Sequence, residues 1–316
     1  MTEFQAGGTD VQERRRRGVT RGPLAPLAPS QGLSDRIEWH GERATLGALV
    51  RLATVAHDPR IFAAYPGLAA AAGGLATPQI RAVATVGGAL LQRTRCWYYR
   101  DPQVRCFKKG GTECPARAGD HVFGVCIDLG PCVWPHPSTL GAALLAYDAE
   151  VACEPGGGMA IAGLFGDGSD PSRDNCLSGG QVLTGVRLGV PVAGERAGYH
   201  RVIGRQLAEW PLVEAVVRLV IENGRIAFAR VALGGIATVP IRAVDVEQAL
   251  VGCEADPAAI RGVAAGAIRP ARTLEATRYK LDLIPVAIAD AAALALRPPD
   301  PLPRLQAALA LPWNSR

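Results

Sequence analysis

The chain has 316 residues, of which 48% are hydrophobic and 20% charged. That is long enough for two or three cores and excludes a disordered chain. Its formal charge of +5 is small, and much of it can come from Arg14, Arg15, Arg16 and Arg17, which points to a solvated or partner-facing arginine run rather than a nucleic-acid partner. The polar start MTEFQAGGTD holds no secretion signal. The apolar stretch 281–296 carries Asp282, Pro285 and Asp290 and falls short of the roughly 20 residues of a membrane span.

These features predict a cytoplasmic protein with no membrane span. Structural disulfides are rare in that compartment, so eight cysteines call for another use.

Phe4-Gln5-Ala6 reads as the end of a strand and Gly7-Gly8-Thr9-Asp10 as a glycine turn after it. Such a turn exposes consecutive backbone N–H groups that suit an anion. Two adjacent glycines are as readily a plain turn. Residues 37–49 read as a strand pair around His40-Gly41, followed by a helix. Residues 50–76 read as helices interrupted at Pro59 and Pro66. Thr77-Pro78 starts another helical turn, which leads to a second glycine pair at Thr85-Val86-Gly87-Gly88. Two such turns together can hold a pyrophosphate from two sides.

Five cysteines follow, at Cys96, Cys106, Cys114, Cys126 and Cys132. Nine residues separate Cys96 from Cys106 and seven separate Cys106 from Cys114. These gaps are too wide for a zinc ribbon and differ from the bacterial ferredoxin run. A metal centre and a set of buried free thiols both fit the spacing. Lys108-Lys109-Gly110-Gly111 between two of them adds positive charge to offset thiolates, and glycines for close backbone approach.

His136 is a possible ligand or proton carrier, or a structural residue beside a proline turn. Ser138 reads as the N-cap of a helix through Leu140, Leu144 and Leu145. Residues 147–152 read as a strand, and 161–165 as a short strand or helix start. Cys153, Cys176 and Cys253 read as inert packing residues. A boundary is expected near 190–198. Beyond it, residues 212–221 and 225–233 read as a hairpin across Glu222-Asn223-Gly224. Residues 244–251, 257–268 and 283–296 read as helices, which makes an α+β domain with an antiparallel core. The proline-rich stretch 298–303 is expected to wrap over a surface.

AGGTD at 6–10, TPQIRAVATVGG at 77–88, LLQRTRCWYYRD at 90–101, the spaced cysteines and CVWPHPS at 132–138 together resemble the FAD-binding medium subunit of molybdenum hydroxylases. WPLVEAVV at 210–217 and ARVALGGIA at 229–237 extend the resemblance over nearly the whole chain. The cysteine pattern resembles the branch of aldehyde oxidoreductases whose flavin subunit also carries a [4Fe-4S] cluster; the 4-hydroxybenzoyl-CoA reductase branch shares that feature.

The resemblance implies a two-subdomain FAD-binding fold (PCMH-like) over 1–190, with a cluster segment at 92–138. A smaller C-terminal α+β domain with an antiparallel sheet would span 197–297, with a tail at 298–316. It implies FAD held by Ala6, Gly7, Gly8, Thr9, Asp10, Thr85, Val86, Gly87, Gly88, His136, Ser138 and Lys280. It also implies a [4Fe-4S] cluster on Cys96, Cys106, Cys114 and Cys132, with Cys126 as the competing fourth ligand. Partners would be a molybdenum-cofactor large subunit and a [2Fe-2S] small subunit, with the chain relaying electrons to an acceptor. The flavin supplies the redox chemistry, so no general acid or base is needed here.

Three positions depart from the family pattern. The usual opening strand–helix unit before AGGTD is missing, Ala89 replaces an Asn, and Thr139 replaces an Asp. They leave open a structural bridging subunit that has lost FAD. A zinc-stabilised binding module is the third reading.

Overall fold

A computed structural model describes residues 3–204, 209–268, 270 and 272–297. The expected tail at 298–316 lies outside the described residues.

The chain is α+β, built on three sheets. The strand Glu3–Gln5 pairs in parallel with Leu24–Pro26, which supplies the pairing partner that the first strand needs. Between them runs the helix Val11–Arg16. Its arginines divide: Arg16 and Arg17 are exposed, as a solvated run expects, whereas Arg14 and Arg15 are engaged. Arg14 is buried and pairs with Glu3 at 2.6 Å and Asp10 at 3.1 Å, and Arg15 donates to Gly22 O at 2.5 Å.

A five-stranded antiparallel sheet orders Ile37–His40, Arg43–Gly47, Val182–Arg187, Glu150–Glu154 and Gly157–Ala160. Gly41 at φ +63° allows the first hairpin to close. Helices Leu52–His57, Pro59–Ala64 and Pro66–Gly74 share this sheet's hydrophobic core, and the last also packs on the strand Arg196–Val202. Pro59 and Pro66 each begin a helix, where the missing proline N–H costs nothing.

The helix Thr139–Ala146 is buried along its whole length, as an all-apolar helix must be. It ends before Tyr147, so the strand expected from 147 begins only at Glu150. The turn between them needs Asp148 at φ +49°, which Asp tolerates better than most residues.

The four-stranded sheet orders Ile241–Arg242, Arg225–Gly234, Val213–Glu222 and Arg196–Val202, all antiparallel. Glu222 pairs with Arg225, so Asn223 (φ +50°) and Gly224 (φ +75°) alone make the turn. Positive φ at both positions is the type I′ geometry that suits strand twist. Helix Tyr279–Leu296 lies on this sheet so closely that a Cβ at Gly198 would fall 2.0 Å from Ala291 O. It starts four residues before the expected 283 and contains Pro285. Burial of Ile284, Ala287, Ile288 and Ala291 offsets a proline cost of about 3 kcal/mol.

Arg218 ties the four-stranded sheet to the end of the buried helix. From Val213–Glu222 it donates to Ala146 O at 2.6 Å, pairs with the buried Glu195 at 2.5 Å and covers the Tyr147 ring at 3.9 Å. No helix among the described residues is long and apolar enough to cross a membrane.

Candidate functional site

The two glycine turns meet. A Cβ at Gly7 would lie 2.0 Å from Val83 O, and Gly8 sits at φ +73°, so this approach needs glycine twice. The N–H groups of Gly7, Gly8 and Thr9 bond to no protein acceptor among the described residues and stay available to an anion. The second turn differs from expectation. Val86 N–H donates to Val50 O and Gly87 N–H to Ala48 O, both at 2.9 Å. Gly88 N–H donates to the Thr85 hydroxyl at 3.2 Å. The glycine pair of the second turn thus has no free amide among the described residues and contributes the bare, exposed Gly88 surface, beside the Thr85 N–H, which has no acceptor among them.

Asp10 is held by the Arg93 N–H at 3.2 Å and the Arg100 guanidinium at 2.6 Å. Burial pushes its carboxyl up, but Arg95 and Arg100 hold it below the ordinary value.

Three cavities run in series from these turns. A cleft of about 460 Å³ is lined by Ala6, Gly7, Gly8, Thr9, Asp10, Thr85, Gly87 and Gly88, with Arg14, Arg93, Asp174 and Gln181 opposite. A passage of about 230 Å³ shares Thr9, Gly88 and Gln92 with that cleft. An aromatic pocket of about 500 Å³ shares Arg95, Pro137, Trp210 and Pro211 with the passage and is walled by Trp97, Phe123, Trp134, His136 and Glu214. An elongated ligand with an anionic middle and a flat ring at one end fits this sequence of surfaces.

The remaining expected FAD residues sit behind the cavity walls, except His136. Val86 is in the core. Ser138 caps its helix by accepting from Gly141 N–H at 2.9 Å. Lys280 donates to Phe123 O at 3.1 Å and Gly235 O at 3.0 Å, bracing two residues of the aromatic pocket. Burial pushes its ammonium down to about 8. His136 lines the aromatic pocket, with Nδ1 accepting from Ser138 N–H and Nε2 without a partner. Burial pushes it down to about 4, so the ring is neutral.

Cys96, Cys106, Cys114 and Cys132 line one further small cavity. Cys126 does not; it packs in the core under the four-stranded sheet, near Lys280. All eight cysteines are free of disulfides. Backbone N–H groups are aimed at the sulfurs: Tyr98 and Tyr99 at Cys96, Ala116, Arg117 and Val133 at Cys114, Trp134 at Cys132. A hydrogen bond from the Cys132 thiol pulls Cys114 down to about 6. Among the described residues, no three His, Cys, Asp or Glu side chains converge as a single metal ion requires. Of the cysteines expected to be inert, Cys153 is buried, Cys253 is partly buried and Cys176 is exposed, which corrects the packing role for Cys176.

A family described as the FAD binding domain in molybdopterin dehydrogenase matches residues 4–188. The chain belongs to the FAD-binding medium subunits of the molybdenum hydroxylase family. The C-terminal domain of the CO dehydrogenase flavoprotein matches residues 199–284 of this oxidoreductase subunit. The aldehyde oxidoreductase FAD-binding subunit PaoB of Escherichia coli K12 is 32% identical over 76% of each chain. Solved structures share the fold. Carbon monoxide dehydrogenase from Hydrogenophaga pseudoflava superposes with a TM-score of 0.68 at 21% identity, over 93% of this chain and 89% of its own. Quinoline 2-oxidoreductase from Pseudomonas putida 86 does so at 0.67 and 19%, over 94% and 91%.

Sequence reasoning overlooked much of what lines this FAD-binding subunit's cavities. Asp174 and Gln181 lie in a stretch to which the sequence assigns no element, with no local signal. Trp97 and Trp134 sat inside recognised motifs but gave no hint that they meet, with ring centroids 4.8 Å apart. Glu214 did carry a signal: one acid inside the apolar run WPLVEAVV.

Proposed function

We propose that this chain is the FAD- and [4Fe-4S]-carrying electron-transfer subunit of a molybdenum-dependent hydroxylase of the aldehyde oxidoreductase or xanthine dehydrogenase type. It would work in a heterotrimer with a molybdenum-cofactor large subunit, where substrate chemistry occurs, and a [2Fe-2S] small subunit. FAD, when bound, supplies reversible electron acceptance. The observation that carries the reading is the Trp134 ring, which walls both the aromatic pocket and the four-cysteine cavity.

The chain's own residues divide the work. Gly7, Gly8 and Thr9 offer free amides to a pyrophosphate, with Arg14 and Arg93 lining the same cleft. The aromatic pocket takes the flat ring and excludes water from it. His136 and Lys280 shape that pocket, and Ser138 anchors the helix behind it. Cys96, Cys106, Cys114 and Cys132 supply the thiolates, supported by N–H groups as cluster sulfurs are. A cluster would take one ligand per iron, so four cysteines around one cavity suit it better than a single ion. Residues 1–190 would hold the flavin and 197–297 would close the aromatic end.

The consumed amides of the second glycine pair favour a second reading, a bridging subunit that holds the cysteine centre without FAD. Gly7→Ala separates the two. In the co-expressed complex it should abolish flavin absorbance while the subunits still co-purify, because the new Cβ cannot share space with Val83 O. No flavin in the wild-type complex would support the bridging role, and flavin at wild-type level in the variant would contradict the pyrophosphate site at Gly7.

A further inference from the structure

Glu214 is a charged residue type in a place built for an uncharged one. It stands on the strand Val213–Glu222, is buried, and lines the aromatic pocket. Two hydroxyls serve its carboxyl: Thr139 from the start of the buried helix and Tyr199 from the neighbouring strand each donate to Oε2 at 2.8 Å. Its cross-strand partners are Arg201 on one side and Gly234 on the other, and a Cβ at Gly234 would lie 2.4 Å from Oε1. Three elements therefore leave room for this one carboxyl.

No ion pair reaches it among the described residues. Arg201 is the nearest cation in effect, but its guanidinium donates to Gly74 O at 2.8 Å and to Glu209 O. Arg95 and Glu209 also line the pocket, as does the neutral His136. Burial without an ion pair favours the protonated form of this carboxyl, against the pull of its two hydroxyl donors.

We propose that Glu214 is a flavin-binding residue which, as the neutral acid, donates a hydrogen bond to an acceptor on the polar edge of the isoalloxazine ring. This rests on the reading of the aromatic pocket as the ring's site. A ring with carbonyl oxygens and basic nitrogens on one edge needs a donor, and a carboxylate has none to give. Burial raises the Glu214 pKa above the ordinary value against the pull of the Thr139 and Tyr199 hydrogen bonds. The sign follows. The folded, flavin-bound state holds the proton, so the bond is intact at low pH and lost as pH rises through the raised pKa.

The test is flavin release from the purified complex, followed by flavin fluorescence on heating and by dissociation constant, across a pH series. Wild type should lose flavin affinity roughly tenfold on the alkaline side of the Glu214 ionisation, the worth of one hydrogen bond. Glu214→Gln, which keeps a donor at every pH, should bind flavin with that step removed. Glu214→Leu should bind roughly tenfold more weakly at low pH. A Gln variant that retains the wild-type pH step would overturn the proposal, even if the Leu variant does not fold. Wild-type protein with no flavin at any pH would overturn the pocket reading itself, and this inference with it.

Discussion

Asp174 ties the glycine cleft and the cysteine cavity together through charge. Its buried carboxylate accepts from Arg93 Nε at 2.5 Å and pairs with Lys108 Nζ at 2.9 Å; Arg93 lines the glycine cleft and Lys108 the cysteine cavity. Burial pushes the carboxyl up, but Arg93 and Lys108 overcome it and hold the group down to about 2. A depressed acid stabilises the fold above its ordinary pKa and loses that contribution as pH falls through about 2. Asp174→Asn should cost about 3–5 kcal/mol in denaturant unfolding, because two cations lose their partner. Its stability should also lack the wild-type decline below the ordinary carboxylate pKa of 3.8. An unchanged unfolding midpoint would contradict the coupling. Nothing local marks Asp174 in the sequence: the carboxylate matters because residues 81 and 66 positions away in the chain fold onto it.

Among the elements, the cysteine segment has little regular structure of its own. Residues 92–138 contain only the short turns of helix Trp97–Arg100, Phe107–Lys109 and Pro115–Ala118 before the buried helix begins. Contacts from elsewhere hold it: Thr277 donates to Val125 O at 2.7 Å, Cys126 N–H to Ile236 O at 2.9 Å, and Asp128 N–H to Arg272 O at 3.1 Å. The segment is pinned from the C-terminal sheet side independently of the four thiols. Cys114→Ser should therefore lose iron and acid-labile sulfide while keeping folded protein and flavin. Iron retained at wild-type level would remove Cys114 from the ligand set.

Elements with local causes were legible in the sequence. The Asn223-Gly224 hairpin follows from two residues that accept positive φ, and the helices at Pro59 and Pro66 follow from proline's place at a first turn. Helix Tyr279–Leu296 was read short because Pro285 is a breaker in isolation; packing on the sheet overrides it.

For the whole molecule, the site is made by juxtaposition. The cleft, passage and aromatic pocket draw on stretches from residue 3 to residue 235. Motif resemblance identified both glycine turns and the cysteines, but it suggested amides on both turns, and hydrogen bonds to Ala48, Val50 and Thr85 consume those of Val86, Gly87 and Gly88 on the second. Periodicity says nothing about which walls two cavities share, so the role of Trp134 emerged only from the fold.

That shared wall makes the central claim a claim about two cofactors on one chain. The most direct measurement is FAD, iron and acid-labile sulfide per chain in the complex purified anaerobically, with a low-temperature EPR spectrum after reduction. The account predicts one FAD and the signal of a reduced [4Fe-4S] cluster, with iron beyond that of the [2Fe-2S] small subunit. Flavin with no such iron, or iron without flavin, would contradict it.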